Sequence, residues 1–70
     1  MEQIKIFYDR NGNTLTVWFD DPKNENICEE TGDEIILMKD QNGQVIGFEK
    51  LNFSITRTED LKVAFEAMAV

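Results

Sequence analysis

Two stretches of this chain are rich in apolar residues, positions 4–19 with a largely alternating pattern and positions 35–53 opening on the apolar run Ile35-Ile36-Leu37-Met38, and each is broken by a short polar run. The breaks are alike: Asp9-Arg10-Asn11-Gly12-Asn13 and Asp40-Gln41-Asn42-Gly43-Gln44 each give Asp, a variable residue, Asn-Gly and an amide. Asp at the first turn position accepts backbone N–H bonds, and Gly suits the positive-φ position that ends a type I turn. An Asn-Gly pair also fits a two-residue type I′ hairpin. Either way the pattern predicts two β-hairpins, with Asp9, Gly12, Asp40 and Gly43 as structural turn residues.

In the first hairpin the two-residue register sets Tyr8 opposite Leu15, Ile6 opposite Val17 and Ile4 opposite Phe19. One face is then wholly apolar, and Phe7 and Trp18 are apolar exceptions on the other. In the second, a three-residue loop (41–43) pairs Met38 with Ile46, Ile36 with Phe48 and Glu34 with Lys50. The opposite face keeps Ile35, Leu37, Val45, Leu51 and Phe53. Strands apolar on both faces are covered on both faces. Gly47, inside the strand pattern, marks a place where a neighbouring backbone or ring comes close.

The period changes in the tail. Leu61, Ala64, Phe65 and Met68 recur at helical spacing behind Thr56-Arg57-Thr58-Glu59, which fits a capping box. The expected fold is therefore α+β: a small antiparallel β-meander of four to five strands, with one C-terminal helix packed on one face. The chain reads as a single domain over 1–70, with a meander core at 1–54 and the helix at 56–70.

Seventy residues bury only about 60% of the surface the unfolded chain exposes, so such a domain needs reinforcement. One cysteine, Cys28, excludes an internal disulfide, and the absence of histidine removes the usual zinc sites. Oligomerisation or a partner protein remains. No basic segment followed by a long apolar run opens the chain, and no apolar run is long enough to span a bilayer. The expected compartment is cytoplasmic.

Net charge is −7, and its distribution is uneven: positions 20–34 hold seven carboxylates against one base, Lys23. Such a field repels phosphate backbones, which are bound through Lys and Arg, and speeds encounter with a basic protein. Direct nucleic-acid binding and membrane association are not expected. Asp20, Asp21, Glu25, Glu29, Glu30, Asp33 and Glu34 are the candidate partner-binding residues, with Trp18 and Phe7 as aromatic anchors; Phe53 could join them.

Catalytic, cofactor and metal sites are each read as none. Asp9, Asn11, Asn13 and Asp20 imitate part of a calcium loop, but Thr14 stands where that loop needs glycine, and strands flank it in place of helices. Cys28 lies among Glu25, Glu29 and Glu30, which raise a thiol's pKa, and no histidine is present to activate it. Glu49 is expected to face solvent or to pair with Lys39 or Arg57.

Tyr8-Asp9, Leu15 and Val17, the aliphatic run 35–37, Asp40 and Gly43, Val45-Ile46, and Gly47, Glu49 and Leu51 together resemble the small bacterial and archaeal proteins of domain of unknown function 2283. The resemblance covers about 4–54. Asn13 and Met38 depart from it, where a second loop Asp and a polar residue are frequent. It implies a small antiparallel meander and no established enzyme activity, and members of the family have been proposed as antitoxin-like partners encoded beside small toxin-like proteins. The expectation is a non-catalytic interaction module for a small basic partner. The alternatives are a domain that forms a homodimer through its sheet face and, after that, an acidic metal- or ligand-binding protein.

Overall fold

The computed structural model describes residues 3–54 and 61–69. It contains five strands, β1 (Lys5–Asp9), β2 (Thr14–Trp18), β3 (Ile27–Glu30), β4 (Ile35–Lys39) and β5 (Val45–Lys50), with one 3₁₀ turn at Pro22–Asn24. They form one antiparallel sheet in the order β1-β2-β5-β4-β3. The protein is all-β among the described residues, which corrects the α+β expectation.

Residues 61–69 have no regular secondary structure, and Phe65 and Met68 are 83% and 82% exposed. Short helices draw most of their stability from tertiary packing of an apolar face. This segment, despite its helical period, has no such packing. The capping-box residues Thr56 to Glu59 lie outside the described residues. The meander is corrected as well. The β1–β2 hairpin and the three strands β3, β4 and β5 are two local units, joined because β5 pairs with β2 on one side and β4 on the other.

The first hairpin keeps the expected pairs, Ile6 with Val17 and Tyr8 with Leu15, but closes over four loop residues after Asp9 opposite Thr14. Positive φ there belongs to Asn13 (φ 54) and not to Gly12. The Asp9 carboxylate accepts from the N–H groups of Asn11 (3.0 Å) and Gly12 (3.2 Å), as the turn chemistry requires. The second hairpin keeps its three-residue loop: the Asp40 N–H donates to Gln44 O, and Gly43 takes φ 80.

Beyond that loop the register departs from the expectation. Lys39 pairs with Val45 but Met38 with Gly47, so Ile46 is an extra residue in β5. A bulge of this kind transfers every later side chain to the other face. Phe48 therefore lies opposite Leu37, Glu49 opposite Ile36 and Lys50 opposite Ile35, each one residue away from the simple register. The bulge also serves β2, because the Phe19 N–H donates to Ile46 O at 2.7 Å.

One face of the sheet then carries Ile6, Tyr8, Leu15, Val17, Phe48, Leu37 and Ile35, and the other carries Phe7, Thr16, Trp18, Gly47, Met38 and Ile36. Phe53 stacks edge-on against Tyr8 at 6.0 Å, and Phe19 meets Phe48 at 6.0 Å. Only Val17, Met38 and Ile46 are buried apolar residues among those described. Full burial of such a side chain contributes about 1.5–3 kcal/mol, so three of them make a thin core.

Candidate interaction surface

Locally, the acidic stretch is held by its own turn chemistry. The Asp20 carboxylate accepts from the Asp21 N–H at 2.7 Å, and Asp21 caps the 3₁₀ turn by accepting from the Lys23 N–H at 2.9 Å. The chain then enters β3, whose Glu29 and Glu30 stand on the outermost strand. The turn into β4 places Asp33 and Glu34 at its end, with Thr31 Oγ1 donating to Ile35 O at 2.9 Å. Asp20, Asp21, Glu25, Glu29, Glu30, Asp33 and Glu34 are all exposed. Glu25, Glu29, Glu30, Asp33 and Glu34 follow the β3 edge and the loops beside it as a strip, whereas Asp20 and Asp21 stay at the end of β2, close to Lys5 and Lys23.

Two members of this strip are neutralised. Lys39 reaches Glu29 at 3.0 Å, and Lys50 reaches Glu34 at 3.2 Å. Glu34 also accepts from the Asn52 side chain at 3.0 Å. The Asn52 hydrogen bond first, then the bond and charge of Lys50, lower the Glu34 pKa from its ordinary value. Glu34 adopts φ 62, so it belongs to the turn and not to the strand that the simple register gave it.

Cys28 donates its thiol proton to the Glu25 carboxylate. That hydrogen bond is the main reason its pKa is raised, with desolvation and the charges of Glu25 and Glu49 adding to it. Glu49 is half-buried between Thr16 and Ile36. Its suggested partner Lys39 pairs with Glu29 instead, and Arg57 lies outside the described residues.

The aromatic candidates separate. Phe7 and Trp18 share a face on neighbouring strands, but Phe53 packs on Tyr8 on the opposite side. Phe7 is 56% exposed, whereas Trp18 is half-buried. A Cβ on Gly47 would stand 2.9 Å from the Trp18 ring and 2.7 Å from Val17 O, so Gly47 admits both the ring and the backbone. Among the described residues, no group of three or more His, Cys, Asp or Glu side chains is arranged to hold a metal ion. A shallow groove at the end of β2 is lined by Lys5, Phe19, Asp20, Asp21, Lys23 and Ile46, with both signs of charge.

The sequence pattern places Phe19 and Val45 on apolar faces, but it does not place Ile27 there. Phe19, Ile27 and Val45 are exposed large apolar residues on the side that carries Phe48 and Leu37. Ile27 lies between Glu25 and Glu29 with no apolar residue two positions away, so only the pairing of β3 with β4 brings it to this face. No described helix is long and apolar enough to cross a membrane.

These features define a small open-sheet protein with one acidic margin and an apolar face left uncovered among the described residues. The chain belongs to the family described as Protein of unknown function (DUF2283), which matches residues 5–54, the whole five-stranded sheet and its turns. No curated protein and no solved structure matches the chain.

Proposed function

We propose that this protein is a non-catalytic interaction module acting in the cytoplasm, whose open apolar face and acidic margin together receive a small basic protein, in the manner of an antitoxin. The observation that supports this reading most directly is the single-layer sheet. Exposed Phe19, Ile27 and Val45 continue an apolar face with no second layer among the described residues. Contiguous exposed apolar surface of this kind marks association sites. The acidic strip lies at the edge of that face. Its uncompensated carboxylates steer a basic partner and set orientation, while the apolar face supplies slow dissociation.

The test is co-expression with the product of the adjacent gene, followed by binding kinetics at several salt concentrations. Reversing Glu30 and Asp33 to Lys should lower the association rate and flatten its salt dependence. Phe19→Ser should chiefly raise the dissociation rate. Association indifferent to both changes would remove this reading. Stabilisation by millimolar calcium or magnesium in a thermal melt would favour the metal-binding alternative.

A further inference from the structure

The two edges of the sheet are built differently. At one, β3 carries Glu29 and Glu30, and Glu25, Asp33 and Glu34 lie in the flanking loops. Inserted charge of one sign is a common protection against edge-to-edge pairing. At the other, β1 reads Lys5-Ile6-Phe7-Tyr8-Asp9, with no proline, no bulge and no charge among its three central residues. Ile6 and Phe7 on it are 42% and 56% exposed.

The β1 sequence is self-complementary. Turned antiparallel to a copy of itself about Phe7, it sets Lys5 opposite Asp9 of the second copy, Ile6 opposite Tyr8, and Phe7 opposite Phe7. Directly opposed residues in an antiparallel pair share a face, and opposite charges so placed are favourable. Lys5 makes no ion pair among the described residues. Asp9 uses Oδ1 for its two turn bonds, which leaves Oδ2 for a lysine. A shift of the register by two residues would lose both charge pairs.

We infer that a second copy of this chain pairs antiparallel along β1, centred on Phe7, to give one continuous ten-stranded sheet. The long-range charge favours the same arrangement. It sets the two acidic β3 margins at opposite ends, roughly 40 Å apart at the usual strand spacing and well beyond the screening length in physiological salt. The two-fold axis stands perpendicular to the sheet, so both apolar faces lie on one side and form a doubled surface. This inference does not depend on the basic-partner reading, since it rests on the pairing of the β1 edge and not on the carboxylates of the β3 margin.

The test uses the full chain carrying Cys28→Ser, with Phe7→Cys added. Opposed Cα atoms in such a pair lie within disulfide reach, so mild oxidation should give a covalent dimer. Ile27→Cys on the β3 edge, in the same background, should stay largely monomeric. In parallel, light scattering on the otherwise unchanged chain should show a dimer, and Phe7→Lys should weaken it at least tenfold with its far-UV spectrum retained. A monomer at about 100 µM, a concentration that would reveal micromolar association, would overturn the inference. So would a dimer that ignores Phe7→Lys and fails to cross-link at position 7, which would place self-association on the apolar face instead. Loss of the dimer would leave the salt-dependent binding of a basic partner to be judged by its own experiment.

Discussion

The Trp18 ring occupies the space that a side chain at Gly47 would need. The two residues are directly paired between β2 and β5, and a Cβ at position 47 would come within 2.9 Å of ring carbon Cε3. This contact lies on the seam that joins the hairpin to the three-stranded unit, and the Met38 methyl closes over the same spot at 3.3 Å. Gly47→Ala is expected to destabilise the fold by about 1–3 kcal/mol, the range for overpacking a well-filled site. Chemical denaturation followed by Trp18 fluorescence would measure it. Trp18→Ala in the same chain should relieve only part of the cost, because the Val17 carbonyl oxygen is nearer still, at 2.7 Å.

The turns separate backbone cost from steric cost. A Cβ at Gly43 would meet nothing within 4 Å, yet the residue sits at φ 80. Gly43→Ala should therefore cost about 1 kcal/mol through conformation alone. Asn13 holds the equivalent positive φ of 54 in the first hairpin. Asn13→Gly should be more stable than Asn13→Ala by a similar margin of about 1 kcal/mol, read from paired urea titrations. Equal stability of the two variants would mean that the turn rearranges around position 13.

Acid should release the tie between the β3–β4 turn and β5. Asn52, and then Lys50, hold the Glu34 pKa below that of an unfolded glutamate, near 4.3. A lowered folded pKa means that the stabilisation is present above the unfolded value and is lost as pH falls through the folded one. Glu34→Gln should remove this component, so that the variant loses less stability than the parent between neutral and acid pH. Thermal melts across that range would show it. An unchanged acid limb would mean that the contact is fully screened by solvent.

Cys28 should react slowly although it is exposed. Its thiol proton is engaged by the Glu25 carboxylate, and its pKa is raised by that bond first. The nucleophile is the thiolate, so reaction with a disulfide reagent at neutral pH should be slower than for a free cysteine. Glu25→Gln should speed it several-fold, with the gain fading at alkaline pH where both thiols ionise. Equal rates for parent and variant would dissociate the two side chains in solution.

The local pattern along the chain was enough for the strands, the two Asp-led turns and the first hairpin's register. Each depends on neighbours in sequence: Asp9 satisfies N–H groups two and three residues on, and a period of two places Ile6 with Val17. Composition was enough for the acidic segment, with seven carboxylates in fifteen positions, but the fold divides it between the β3 margin and the end of β2. Family membership was legible for the same reason, as its letters are strand and turn positions within 5–54.

Tertiary structure decided the rest. The place of β5 between β2 and β4 depends on a non-local pairing that no period encodes. The extra residue Ile46 is set by what β2 and β4 each require of β5, and it moved Phe48 and Glu49 to faces the simple register denied them. Residues 61–69 had a helix's spacing, yet Phe65 and Met68 stay exposed instead of packing on the sheet, and for a segment that short, periodicity without packing does not hold a helix.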